Sequence, residues 1–152
     1  MTPENVTKQI SNLAFMFDLS EPLKPGIVSA LNEVSQIERV APDTVILSPG
    51  ESSSDAGFVL LAGSVEIQSP DGFTRSLDPP VILGEMKQFH FDPSGKRMVT
   101  VRTLCEVTVL RFVWTDLYAL LSKRISAKEV EEFRLALQEH AWMHYLELQD
   151  EL

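Results

Sequence analysis

Residues 49–67 read PGESSSDAGFVLLAGSVEI. A Pro-Gly-Glu turn leads through small polar residues into the apolar run Gly57 to Ala62. Gly63 and Ser64 interrupt it, and Val65-Glu66-Ile67 resumes with alternation. An apolar run of this length bounded by glycines, followed by a period of two, predicts two strands joined by a turn.

The same texture extends outward on both sides. The short β-rich runs are IERV (37–40), TVILS (44–48), GFVLLAG (57–63), SVEIQS (64–69), FTRSL (73–77), PVILG (80–84), RMVTVRT (97–103) and EVTVLRF (106–112). SPGESSSD, Gly63, SPDG, DPP and DPSG punctuate them with turn residues. Eight short strands separated in this way predict an antiparallel β-roll, jelly-roll-like, a closure that leaves few open edges.

Helices flank the roll. Val6, Ile10, Leu13, Ala14 and Phe17 step along one helical face, Pro22, Pro25 and Gly26 break the pattern, and Ile27, Ala30, Leu31 and Val34 predict a second short helix stopping near Ser35. After Phe112, Thr115 or Asp116 is placed to cap LYALLSKR. Ser126 and Glu129 then have the spacing of a capping box. The long helix that follows carries Val130, Phe133, Leu137, Ala141, His144, Leu148 and Leu152 as one seam, and Leu135, Trp142 and Leu146 as a second stripe. The predicted class is therefore α+β, mainly β. Residues 1–125 form the roll with its N-terminal helices, and residues 126–152 form a C-terminal lid or dimerisation helix of the same domain.

A chain of 152 residues with 44% hydrophobic and 23% charged residues can bury a core and is not disordered. The single Cys105 forms no internal disulfide, which favours a reducing, cytoplasmic setting, and its surroundings predict a buried small hydrophobe. The N-terminus lacks a signal-peptide pattern, and no apolar run is long enough to span a membrane. A net charge of -9 disfavours direct contact with nucleic acid or an anionic membrane. Against that background Lys87, Lys96, Arg97 and Arg102 crowd together with His90, opposed by Glu85 and Asp92, which predicts an anionic ligand there.

The order of elements, with Pro49-Gly50-Glu51, Gly63-Ser64-Val65, Leu83-Gly84-Glu85 and Arg97-Met98-Val99 in sequence, resembles the cyclic-nucleotide-binding domain family over nearly the whole chain. Glu85 and Arg97 stand twelve residues apart, longer than the family's usual cassette, and HFDPSG looks like the insertion. Met98 and Val99 replace the small pair that usually follows the arginine.

The resemblance implies a ligand site formed by Gly84, Glu85, Met86, Arg97, Met98 and Val99. A guanidinium at Arg97 suits a singly charged phosphodiester, a carboxylate at Glu85 accepts from a ribose hydroxyl, and Gly84 lets the backbone approach. Trp142 or Tyr145 could cover a purine by stacking. Met98 lacks the hydroxyl with which the family often selects guanine, so cyclic AMP is expected ahead of cyclic GMP.

Other chemistry is thinly represented. His140 and His144 lie one helical turn apart without a third ligand, so no metal is expected. No nucleophile, base and orienting group stand in a recognisable set, and an enzyme is not expected. The expected function is a regulatory sensor that needs no further cofactor, forms a homodimer through the C-terminal helix and signals to a covalent or separate output domain. A signalling enzyme such as a cyclic-dinucleotide synthase or phosphodiesterase comes first as output, a transcription factor second. The alternative is a degenerate roll used for dimerisation and docking. The apolar seam reaches Leu152 without a stop signal, which predicts that more protein follows.

Overall fold

The computed structural model describes residues 2–48, 55–69, 72, 74–85 and 99–149, with side chains described as far as Met143 in the last helix. Helix α1 (Pro3–Ser11) opens with Thr2 as its cap, Thr2 Oγ1 accepting from Asn5 N at 3.2 Å, and with proline in the first turn, where a missing N–H costs nothing. A 3₁₀ segment, Ala14–Asp18, follows it.

This change of pitch corrects the expected face. Val6, Ile10 and Leu13 are buried, but Ala14 and Phe17 point to solvent, Phe17 at 68% exposure, and Phe15 and Met16 are buried instead. Three residues per turn in place of 3.6 rotate the apolar stripe off the α-helical pattern. Helix α2 (Lys24–Val34) takes Pro25 into its first turn and ends at Ser35, burying Ile27, Val28, Ala30 and Leu31.

All eight expected strands form, in two antiparallel sheets. The first has the order β1 (Gln36–Val40), β8 (Val107–Val113), β3 (Ala56–Ala62), β6 (Val81–Leu83). The second has the order β2 (Val45–Leu47), β7 (Thr100–Thr103), β4 (Val65–Gln68), β5 (Thr74–Leu77). This is the expected β-roll flanked by helices.

Two apolar bodies lie on the two faces of the first sheet. Phe58, Leu60, Val81, Leu83, Val107 and Val109 enter the roll interior with Leu47, Val65, Ile67 and Val101 of the second sheet. Their neighbours Val59, Leu61, Ile82, Leu110 and Phe112 point the other way, into a cluster with the helices. Strand β3 therefore has no wet face, which is why it reads as a continuous apolar run, whereas β4 alternates because one side of its sheet meets water. Gly63, at φ +85°, turns β3 into β4 where a Cβ would stand 2.7 Å from the Glu106 carbonyl oxygen.

Helix α3 (Trp114–Arg124) is not capped from within. Its N-cap residue is Val113, and Thr115 and Asp116 lie inside the first turn. Asp55 supplies the cap from 60 positions away: Asp55 Oδ2 accepts from Thr115 N at 2.9 Å and from Thr115 Oγ1, while the Asp55 carbonyl accepts from Trp114 N at 2.9 Å. Helix α4 (Ala127–Gln149) starts with the expected capping box, Ser126 N donating to Glu129 Oε1 at 3.0 Å and Glu129 N to Ser126 Oγ at 3.1 Å.

The seam of α4 packs on its own fold. Phe133 and Leu137 are fully buried in the helix-side cluster, joined by Ala136, Ala141 is buried further along the same seam, and the Phe133 ring meets Phe15 edge-on at 5.7 Å. Burying a side chain of the size of Phe133 or Leu137 is worth about 1.5–3 kcal/mol, so this contact fixes the helix to the body of the domain. Among the described side chains, the large apolar residues α4 leaves exposed are Leu135, Trp142 and Met143. The seam and second-stripe positions His144, Leu146, Leu148 and Leu152 lie outside the described side chains. Cys105 is exposed, contrary to the expected burial, because it sits in the turn between β7 and β8 beside exposed Leu104.

Candidate functional site

The strongest positional feature of the candidate site follows β6. Gly84 has φ +89°, a left-handed conformation that a Cβ disfavours, and it turns the chain so that Glu85 enters the protein with 2% of its surface exposed. Desolvating a carboxylate costs several kcal/mol unless other groups compensate, so the fold holds Glu85 in place and does not leave it as a solvated surface charge. At the other end of the segment, Val99 precedes β7 and packs, half-buried, against the roll-interior cluster that also contains Leu83.

Gly84, Glu85 and Val99 thus flank the connection from the edge of the first sheet to the second, with Leu83 before it and Val99 after it on the roll-interior cluster. Met86, Arg97 and Met98 lie outside the described residues, as do Lys87, His90, Asp92, Lys96 and the turn Pro49-Gly50-Glu51. The fourth cation expected in the cluster, Arg102, pairs with Asp43 at 2.9 Å and lies opposite Glu66 in the β4–β7 register. Val101 next to it fills the roll interior, so strand alternation directs Arg102 to the outer face.

The aromatic candidates divide in the same way. Trp142 lies on α4 at 45% exposure and borders, with Leu135, Gln138 and Glu139, an open groove of about 690 Å³. The Tyr145 side chain is outside the described residues. The His140 and Phe15 rings meet in an edge-type contact with centroids 6.3 Å apart, on the side of α4 that meets the 3₁₀ segment. Among the described residues no three His, Cys, Asp or Glu side chains stand together as a metal site, and no helix is long and apolar enough to cross a membrane.

Two polar residues that pattern reading passed over shape the surroundings. Thr103, 1% exposed, donates to the Ala41 carbonyl at 2.7 Å and accepts from Thr44 N at 2.9 Å, locking the β1–β2 turn to β7. Asp55 sits on the far side of β3 from the site: Phe58 pairs with Leu83 just before Gly84, and Ala56 pairs with Val113 just before α3. Neither carries a local signal, since each acts on a partner about 60 positions away.

The fold agrees with comparison to known proteins. A model of the cyclic nucleotide-binding domain matches residues 37–124, more than half of the chain. Among solved structures, the chain is similar to the c-di-GMP responsive global regulator CLP of Xanthomonas campestris, with 18% identity and a TM-score of 0.63 over 83% of this chain and 61% of that one. It thus spans less than two thirds of that regulator's length. It is also similar to the sensor domain of the transcriptional regulator DNR from Pseudomonas aeruginosa, with 16% identity and a TM-score of 0.63 over 91% of each chain. A third neighbour, the N-terminal domain of a transcriptional regulator from Streptomyces coelicolor A3(2), has 20% identity and a TM-score of 0.61 over 90% of this chain and 94% of that one. No curated protein matches significantly.

These neighbours correct the expectation of no direct nucleic-acid partner, because all three come from regulators of transcription or gene expression. The net charge of -9 is a sum over the chain and does not decide what the protein acts on.

Proposed function

The chain belongs to the cyclic nucleotide-binding domain family, and from that membership we propose that it is a non-catalytic regulatory sensor binding a cyclic nucleotide, cyclic AMP first, at Gly84, Glu85, Met86, Arg97, Met98 and Val99. The burial of Glu85 behind the left-handed Gly84 carries this reading, because it presents an acceptor for a sugar hydroxyl where a merely solvated pair of charges would not need one. Arg97 supplies the grip on the phosphodiester. The bound state is relayed through α4 to a transcriptional output in the cytoplasm, in keeping with the neighbours.

A second copy of the chain is proposed to dock on the α4 face that carries Leu135 and Trp142, replacing the Phe133–Leu137 seam, which the fold itself consumes. Trp142 or Tyr145 keeps the proposed role of stacking on the base.

Titration calorimetry with cyclic AMP, cyclic GMP and cyclic di-GMP tests the function. Saturable binding with cyclic AMP tightest is expected. Cyclic di-GMP belongs in the panel because the CLP neighbour responds to it. Absence of heat with all three would leave the roll as a docking and dimerisation module.

A further inference from the structure

Between the candidate site and the C-terminal helices lies a short chain of backbone contacts centred on residues 55–57. On one side, β3 pairs with β6 at Phe58–Leu83, directly before Gly84 and Glu85. On the other, it pairs with β8 at Gly57–Phe112 and Ala56–Val113, and Asp55 continues this row by accepting from Trp114 N. A Cβ on Gly57 would come within 2.5 Å of the Phe112 ring and 2.9 Å of Trp114, so strand and helix start are in close contact here. The Asp55 carboxylate then completes the first turn of α3 through Thr115 N and Oγ1. Helix α3 in turn delivers the chain to Ile125, which packs on the helix-side core, and to the capping box that begins α4.

We infer that Asp55 is a positioning residue that couples occupancy of the Gly84–Glu85 site to the helices, by shifting the first turn of α3 between a capped and a frayed state. The inference rests on the functional reading above. The Val113 side chain makes no capping bond, so the capped state depends on a residue held by β3. Movement of the β6 end displaces β3 at the level of Asp55, and a displaced carboxylate no longer satisfies the Thr115 amide. The structure holds the capped arrangement, and on this inference a ligand one strand away biases the balance between it and the frayed one.

Hydrogen exchange at the Thr115 amide, read with and without cyclic AMP, tests this on the full chain. In the parent, ligand is expected to slow exchange there by at least about fivefold, the lower end of ordinary coupling between sites. In Asp55→Ala that ratio falls toward one. Because coupling is reciprocal, cyclic AMP affinity falls by no more than about the same factor. Asp55→Asn, which retains a good cap, is expected to respond like the parent. Thr115→Ala removes the hydroxyl from the helix side and gives a smaller loss of response, a second route if Asp55→Ala does not fold. Variants that bind cyclic AMP and keep the parent's ratio overturn the coupling alone. A parent that binds no cyclic nucleotide overturns it together with the functional reading.

Discussion

Glu132 on α4 accepts two hydrogen bonds from Ser20, one from its backbone N at 2.7 Å and one from its hydroxyl at 3.2 Å. The contact spans 112 positions and ties the loop before α2 to the long helix, one residue before Phe133, which packs on Phe15. Glu132→Ala leaves an exposed amide that water can serve, so the expected loss is modest, about 1 kcal/mol. Urea unfolding should show a lower midpoint with an unchanged slope.

The two faces of α4 respond differently to the same substitution. Leu137→Glu places a charge in the helix-side core and is expected to cost about 4 kcal/mol or more, seen as unfolding. Leu135→Glu alters a half-exposed position and should leave the unfolding midpoint within about 0.5 kcal/mol while lowering the mass in sedimentation. An unchanged mass for folded Leu135→Glu would remove this face from the proposed dimer.

Ligand grip is separable from fold. Arg97→Ala is expected to weaken cyclic AMP by roughly tenfold to more than a hundredfold, the value of a hydrogen bond to a charged group. Glu85→Gln should weaken it less. Calorimetry on Trp142→Ala and Tyr145→Ala, set beside their sedimented mass, assigns each aromatic to the base or to the partner copy: loss of affinity at constant mass marks the stacking residue.

Alkaline stability should depend on one phenol. Burial pushes the Tyr118 hydroxyl up to about 12, opposed by Arg134 and reinforced by Glu131. The folded protein therefore holds this proton where the unfolded chain releases it. The associated stability is fully present below pH 10 and is lost as pH rises toward 12. Tyr118→Phe should flatten the fall in unfolding midpoint across that interval.

Strands and helix starts governed by neighbouring residues were legible in the sequence. The turns around Gly63 and the Ser126–Glu129 box are local chemistry, and each forms where the pattern places it. Phe15 and Phe17 exchanged roles because a 3₁₀ segment does not follow the α-helical period. Periodicity showed that α4 has an apolar seam but not whether the domain or a partner covers it. That depends on where Phe15 and Leu121 arrive in three dimensions. The cap on α3 was missed because its acceptor, Asp55, follows a different turn altogether. Gly84 and Glu85 were readable as a pair, whereas the burial of Glu85 emerges only with the sheet edge beside it.

The placement of the first sheet between two apolar bodies also bears on how such a domain can change over generations. Val59 and Leu60 are adjacent in sequence but belong to different interiors, one shared with the helices and one with the second sheet. Substitutions in the two interiors share no side-chain neighbours across the sheet, so their costs should add. The roll interior is then free to be reshaped while the helix-side packing is inherited intact.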